Sequence, residues 1–191
     1  SCVDYRTRQG AFPTMSTLLA VPLAALLDRL FGEPRRFHPL VGFGMLAAMA
    51  EGAMRREPDG DAVKRIKGAL AVVLLIVPTA GVAHLLASLP MIGAAIEVLL
   101  LYLVLGGKSL EEHGASVAAA LAAGDISAAR AQVGRMVSRD VDSMDADAIA
   151  RATVESVLEN GNDAVYAALF WFAFAGAPGT VLYRLSNTLD A

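Results

Sequence analysis

The sequence predicts an all-α, polytopic integral membrane protein with a helical polar region on its cytoplasmic side, and three observations predict it. Hydrophobic residues make up 55% of the chain and charged residues 18%, with a mean hydropathy of +0.52; soluble domains carry about a quarter charged residues. Gly68 to Ile96 contains no Lys, Arg, Asp or Glu, and the charge-free pattern resumes from Val98 to Gly107 after Glu97 alone. The polar groups gather instead in the run Gly134 to Asp163, where they must bind a ligand or one another to offset their cost beside a membrane-embedded body. A length of 191 residues suits one domain of this type. The net charge of −3, with no basic patch interleaved with aromatics, argues against a nucleic-acid partner. Cys2 is the single cysteine, so an intramolecular disulfide and a CxxC metal site are excluded too.

Taken in order, residues 1–14 are polar, lack periodicity and precede Met15. They read as an upstream extension outside the fold, which leaves residues 15–191 as the membrane-embedded domain. Ser16 to Phe31 is a first span, ending on Asp28 and Arg29. Gly68 to Gly107 fits two spans joined by a hairpin at Ser88-Leu89-Pro90, since a spanning helix needs about 20 mostly apolar residues and proline disfavours helix in the residue before it. Between the first and second spans lie Arg29, Arg35, Arg36, Arg55, Arg56, Lys64, Arg65 and Lys67, whereas the hairpin has no Lys or Arg. The positive-inside bias therefore places the Gly32 to Lys67 loop in the cytoplasm of a cell inner membrane protein. Two further crossings return Lys108 to Asp163 to the same compartment. Ala164 to Ala175 is a fourth apolar block, and its roughly 12 residues are too few to cross alone. It either continues through Tyr183 as a broken helix or dips in and returns at Gly176-Ala177-Pro178-Gly179. The final residues, Asn187 to Ala191, are newly polar, as in a chain that continues in a longer polypeptide.

Several groups in these segments are chemically suggestive. His38, between Pro34 and Pro39, suits phosphate contact or general acid work, or else a structured membrane-exit turn. Asp142 to Asp163 reads as a helix whose acidic start supplies caps at the positive end of its dipole. Arg151, Glu155, Glu159 and Asp163 recur every four residues along it and so share one face while the helix persists. Three carboxylates with Asn160 beside them suit Mg²⁺ carrying nucleotide phosphate; the alternative is a solvated charged face. Arg135 and Arg139 stand four apart and suit bidentate phosphate recognition, or form an ordinary helix end. Gly106-Gly107-Lys108-Ser109 is not a P-loop, because Tyr102 occupies the position of the required first glycine. His84 is alone in an apolar span. His113 has no second histidine at metal-ligand spacing, which argues against zinc.

The strings GEPRRFHP, GRMVSRD, ATVESVLENGNDAV, ALFWF, GAPG and LYRLSNTLDA, in that order, together resemble the adenosylcobinamide-phosphate synthase family of cobalamin biosynthesis. The resemblance runs from about Met15 to Ala191 and matches the N-terminal portion of those enzymes. It implies an ATP-dependent ligase that joins a propionate of adenosylcobyric acid to (R)-1-amino-2-propanol phosphate, giving adenosylcobinamide phosphate. It also implies Mg²⁺ with ATP as co-substrate, a corrinoid as substrate, membrane lipid as surroundings and other cobalamin-assembly enzymes as partners. On this reading Glu155, Glu159 and Asp163 hold the metal with Asn160 as a supplementary ligand. Arg135 and Arg139 clamp phosphate, His38 and Asp140 move protons or orient substrate, and Asn187 and Asp190 complete the site. For them to do so the Ala164 to Tyr183 segment must return to the face it left, as a re-entrant element. The rival readings are a transporter or sensor component without catalysis, which would place charges at the membrane midplane, and a Mg²⁺-dependent membrane prenyltransferase, of whose acidic motif Asn187 to Asp190 is a poor copy.

Overall fold

The computed structural model describes residues 15–34, 39–54 and 60–190, and among these every regular element is a helix. The upstream extension and His38 lie outside the described residues. The helices are α1 (Met15–Phe31), α2 (Pro39–Met54), α3 (Asp61–Ala87), α4 (Gly93–Val104), α5 (Gly107–Ala122), α6 (Ile126–Val133), α7 (Ala146–Gly161) and α8 (Ala167–Asp190). A π-helical turn, Asn162–Tyr166, joins α7 to α8.

Three helical runs, Asp61–Ala87, Gly93–Ala122 and Ala146–Asp190, are long and apolar enough to cross a membrane. The clearest is α3. Its best window has a mean hydropathy of 2.3, and its 27 residues rise about 40 Å, against a hydrocarbon thickness of about 30 Å. Leu70, Val73, Leu74, Val77 and Leu85 stand exposed along it, the pattern of a helix whose outer face meets lipid rather than water. The reversal between α3 and α4 falls over Ser88 to Ile92, where the proline and the break in apolar residues place it.

The first core cluster unites α1, α4 and α8: Ala20 and Ala24 meet Leu101, Val104 and Leu105, closed by Ala168, Phe172 and Ala177. Helices α1 and α4 run parallel, and their last turns meet. The Tyr102 hydroxyl donates to the Gly32 carbonyl at 2.8 Å, and Lys108 Nζ donates to the Leu30 carbonyl at 3.0 Å. Those bonds satisfy carbonyls at the end of α1 and just past it that the helix leaves free. Both polar stretches, the one after α1 and the one after α4, therefore begin at the same end of the apolar body.

The chain past α4 builds a second lobe. Leu105 is extended (ψ 142°), which separates α4 from α5, and α5, α6 and α7 then close on Val117, Ala129, Val133, Ile149 and Ala152. Asp145 caps α7 by accepting from the Ala148 N–H at 2.8 Å. Asp145→Ala should cost about 1 kcal/mol, seen as a lower midpoint in thermal unfolding of the solubilised protein; an unchanged midpoint would show the cap to be dispensable.

Two features depart from the sequence reading. The Gly32 to Lys67 stretch, expected as a loop, contains α2, and α3 starts at Asp61 rather than Gly68. Phe43 of α2 is buried with Ile76 of α3 and Leu185 of α8, so α2 forms because it has apolar neighbours to cover. The polar helix expected from Asp142 begins at Ala146, and it does not break at Gly161 but passes through the π turn into α8.

Helix α8 reverses at Gly176, whose φ of 63° and ψ of −156° are not helical. The Thr180 hydroxyl donates to the Ala168 carbonyl at 3.0 Å, across 12 residues; in a straight helix those groups would be about 18 Å apart. The Ala167 to Ala175 arm rises only about 14 Å before Gly176 turns it, so it enters the apolar body and returns. Left-handed φ is where glycine carries little steric cost, and Pro178 fixes the start of the return arm. Of the two courses the sequence leaves open, the helical hairpin is the one formed.

Candidate functional site

The site lies where the lobe meets the shared end of α1 and α4. Two adjoining cavities open there, of about 830 Å³ and about 240 Å³, and both are lined by Glu33, Ser109, His113 and Arg135. The larger also reaches Lys108, Glu112, Ser116 and Gln132. The smaller is completed by Asn160 from the end of α7, Asp163 from the π turn, and Arg184 and Asn187 from the return arm of α8.

Each wall is held by identifiable contacts. Asp28 of α1 is buried, and its Oδ2 accepts from the Lys108 N–H at 3.0 Å, placing a negative charge at the N-terminus of α5, where the helix dipole favours it. This bond fixes the Gly106-Gly107 crossing, of which Gly106 lines the smaller cavity. Lys108, engaged with the Leu30 carbonyl, closes a helix end and has no P-loop role. His113 Nδ1 bonds the Ser109 carbonyl at 2.6 Å. The Ser156 hydroxyl donates to the Met136 carbonyl at 2.9 Å, tying α7 to the segment that carries Arg135. Asn160 Nδ2 donates to the Ser156 carbonyl at 2.8 Å and to its hydroxyl at 3.0 Å. Asn162 Nδ2 donates to Asp163 Oδ1 at 3.2 Å, and the Tyr183 phenol lies beside the same carboxylate.

Of the residues singled out from the sequence, the structure brings together Arg135, Asn160, Asp163 and Asn187. Arg139 is turned away and pairs with Glu155 on the exposed face of α7; an exposed pair of this kind contributes under about 1 kcal/mol. Glu159 is exposed and borders neither cavity. Asp140 is exposed and its Oδ1 accepts from the Asp142 N–H at 2.9 Å, which makes it a turn former here. Asp190 is exposed at the end of α8, beyond the cavity that Asn187 reaches. Among the described residues no three of His, Cys, Asp and Glu stand close enough to hold a metal ion between them. Glu155, Glu159 and Asp163 therefore do not form one cage. Asp163 sits within the π turn that begins at Asn162, where the regular four-residue repeat of α7 ends.

Glu33, Ser109, His113 and Arg184 are lining residues that residue-level reading did not select. Glu33 and Arg184 do fall inside the strings GEPRRFHP and LYRLSNTLDA. His113 and Ser109 carry no signal of their own; only the approach of α5 to the end of α1 gives them a role.

The profile of the CobD/Cbib protein family matches residues 21–191. The chain is 53% identical over 180 residues to cobalamin biosynthesis protein CobD of Chromobacterium violaceum, covering 93% of this chain and 58% of that protein. It is 53% identical over 179 residues to the protein of the same name from Stutzerimonas stutzeri, again covering 93% of this chain and 58% of the relative. The Halalkalibacterium halodurans protein of that name is 36% identical over 180 residues, covering 91% and 55%. The chain thus spans little more than half the length of these relatives, and no solved structure matches it significantly. With the matched region running from the first span through the lobe to the return arm of α8, the chain belongs to the CobD/Cbib family, relatives of which carry the name cobalamin biosynthesis protein CobD.

Proposed function

We propose that this chain supplies the membrane-end part of an active site that ligates adenosylcobyric acid to (R)-1-amino-2-propanol phosphate at the expense of ATP. The observation that carries the reading is the convergence of Arg135, Asn160 and Asp163 with Asn187 of the return arm in one cavity. Residues distant in sequence meet there at the edge of an apolar body, facing the compartment that the positive-inside bias identifies as the cytoplasm.

The chemistry sets what such a site must do. A carboxylate is a poor acyl donor until ATP converts it to an activated ester or anhydride, and an ammonium is no nucleophile until it loses a proton. Attack of the free amine on the activated carbonyl forms the C–N bond and expels the phosphate-bearing leaving group. Asp163 is suited to take the proton from the ammonium, since it lines the cavity and a carboxylate is a competent general base when positioned against its proton donor. Mg²⁺ arriving with ATP takes most of its oxygens from phosphate and water and needs only one or two carboxylates from the protein. Asp163 and Asn160, which line the same cavity, would supply oxygens of that kind, so a three-carboxylate cage is not required. Arg135 provides charge for phosphate. Clustering of the polar groups at one membrane end favours this reading over a transporter, whose binding groups belong near the midplane.

The test uses membranes carrying the full-length protein, supplied with adenosylcobyric acid, aminopropanol phosphate, ATP and Mg²⁺, with the amide product sought by mass spectrometry. Product requiring all four components is expected. Folded protein that yields none would overturn the reading.

A further inference from the structure

The smaller cavity has an unusual charge arrangement. Two guanidiniums, Arg135 from the lobe and Arg184 from the return arm, line a space of about 240 Å³. Neither forms an ion pair with another of the described residues. The Nε of Arg184 is shielded from solvent yet has no hydrogen-bond partner among the described residues. Buried polar donors are nearly always satisfied, so the Arg184 Nε and the exposed Arg135 guanidinium across the cavity keep donors available for an anionic guest. Arg matches phosphate by bidentate hydrogen bonding. The same cavity is lined by two carboxylates, Glu33 and Asp163, which would repel a purely anionic guest but suit one that also carries a cation. Its volume falls below the roughly 300–1,000 Å³ of drug-sized ligand sites, too small for a nucleotide or a corrinoid.

We infer that the small cavity seats an ammonium phosphomonoester, its phosphate clamped between Arg135 and Arg184 and its ammonium directed at Glu33 and Asp163. This rests on the ligation reading in identifying that guest as the phosphorylated amine. It leaves the larger adjoining cavity, which shares Arg135 and His113 with the small one, to the body of the nucleotide, its Mg²⁺-bound phosphates reaching toward Asp163. It also replaces Arg139, paired with Glu155, by Arg184 as the second phosphate ligand.

The experiment measures equilibrium binding of O-phosphoethanolamine, ethanolamine and inorganic phosphate to the full-length protein in lipid nanodiscs. Phosphoethanolamine should bind, and ethanolamine at the same concentration should not. Arg184→Gln and Arg135→Gln should each weaken phosphoethanolamine binding at least tenfold, while Arg151→Gln leaves it unchanged. Glu33→Gln should weaken phosphoethanolamine more than inorganic phosphate. Arg135 lies on an exposed turn, so its variant carries the test even if loss of Arg184 disturbs the hairpin. Wild-type affinity in Arg135→Gln, or equal binding of ethanolamine and phosphoethanolamine, would overturn the inference. Protein that binds phosphoethanolamine through both arginines but forms no amide would retain this site and discard the ligation reading.

Discussion

Asp163→Asn is expected to lower the rate of amide formation by at least about 100-fold, the usual range for loss of a positioned base. Asparagine keeps the shape of the side chain and can still accept through its oxygen, but it cannot take the proton that turns the substrate ammonium into the attacking amine. The loss should therefore fall on kcat, with a smaller change in KM for the amine. The proton itself provides a second signature. Raising the pH increases the fraction of free amine in solution, so residual activity of the variant should climb with pH more steeply than that of the wild type. Initial rates measured across pH on full-length protein in membranes check both. A variant with wild-type kcat would remove Asp163 from the chemistry and leave it as a neighbour of Tyr183.

Gly179→Ala should be among the most damaging single-methyl additions in the membrane body. A Cβ at this position would stand 2.4 Å from the Ala175 Cβ and 2.8 Å from the Trp171 carbonyl oxygen. The second is backbone and cannot swing aside, so the arms of the hairpin must separate. Overpacking typically costs about 1–3 kcal/mol, and here the disturbance also moves Arg184 and Asn187 away from Asp163. Reduced accumulation in membranes, a lower unfolding midpoint and loss of phosphoethanolamine binding are expected together. Gly44→Ala is the matched comparison: nothing lies within 4 Å of its added methyl, and alanine favours helix over glycine by up to about 1 kcal/mol. If Gly179→Ala behaves like Gly44→Ala, the two arms are not in contact as described.

The membrane helices were legible in the sequence because charge exclusion over Gly68 to Ile96 is a simple, cooperative signal. So was the hairpin at Ser88 to Pro90, where proline chemistry is local. Helix α2 was not, because Arg and Pro residues flank a segment rich in Gly and Ala, and because the burial that stabilises Phe43 comes from α3 and α8, far away in the chain. The site was half visible. Arg135, Asn160, Asp163 and Asn187 stood out as polar groups in unexpected places. Glu155 and Glu159 stood out for the same reason, yet an exposed ion pair with Arg139 is enough to account for Glu155. Spacing reports which side chains share a face of one helix; it does not report which face a neighbouring helix covers. Arg184 and Glu33 needed the chain reversal at Gly176 and the close approach of α5 to become visible.

The π turn at Asn162–Tyr166 makes this region sensitive to chain length. An α-helix advances about 100° per residue, so the extra residue held in a π turn resets the angle between the helix before it and the helix after it. Here it aligns the stripe that faces the lobe, Ile149, Ala152 and Ser156, with the stripe Ala164, Ala168 and Phe172 that faces the membrane core. Deleting one residue from this turn would not merely shorten the connection. It would rotate the hairpin like a key in its lock, carrying Arg184 and Asn187 round with it, so insertions and deletions here act as switches of the whole assembly while the amino-acid chemistry of every other position stays intact.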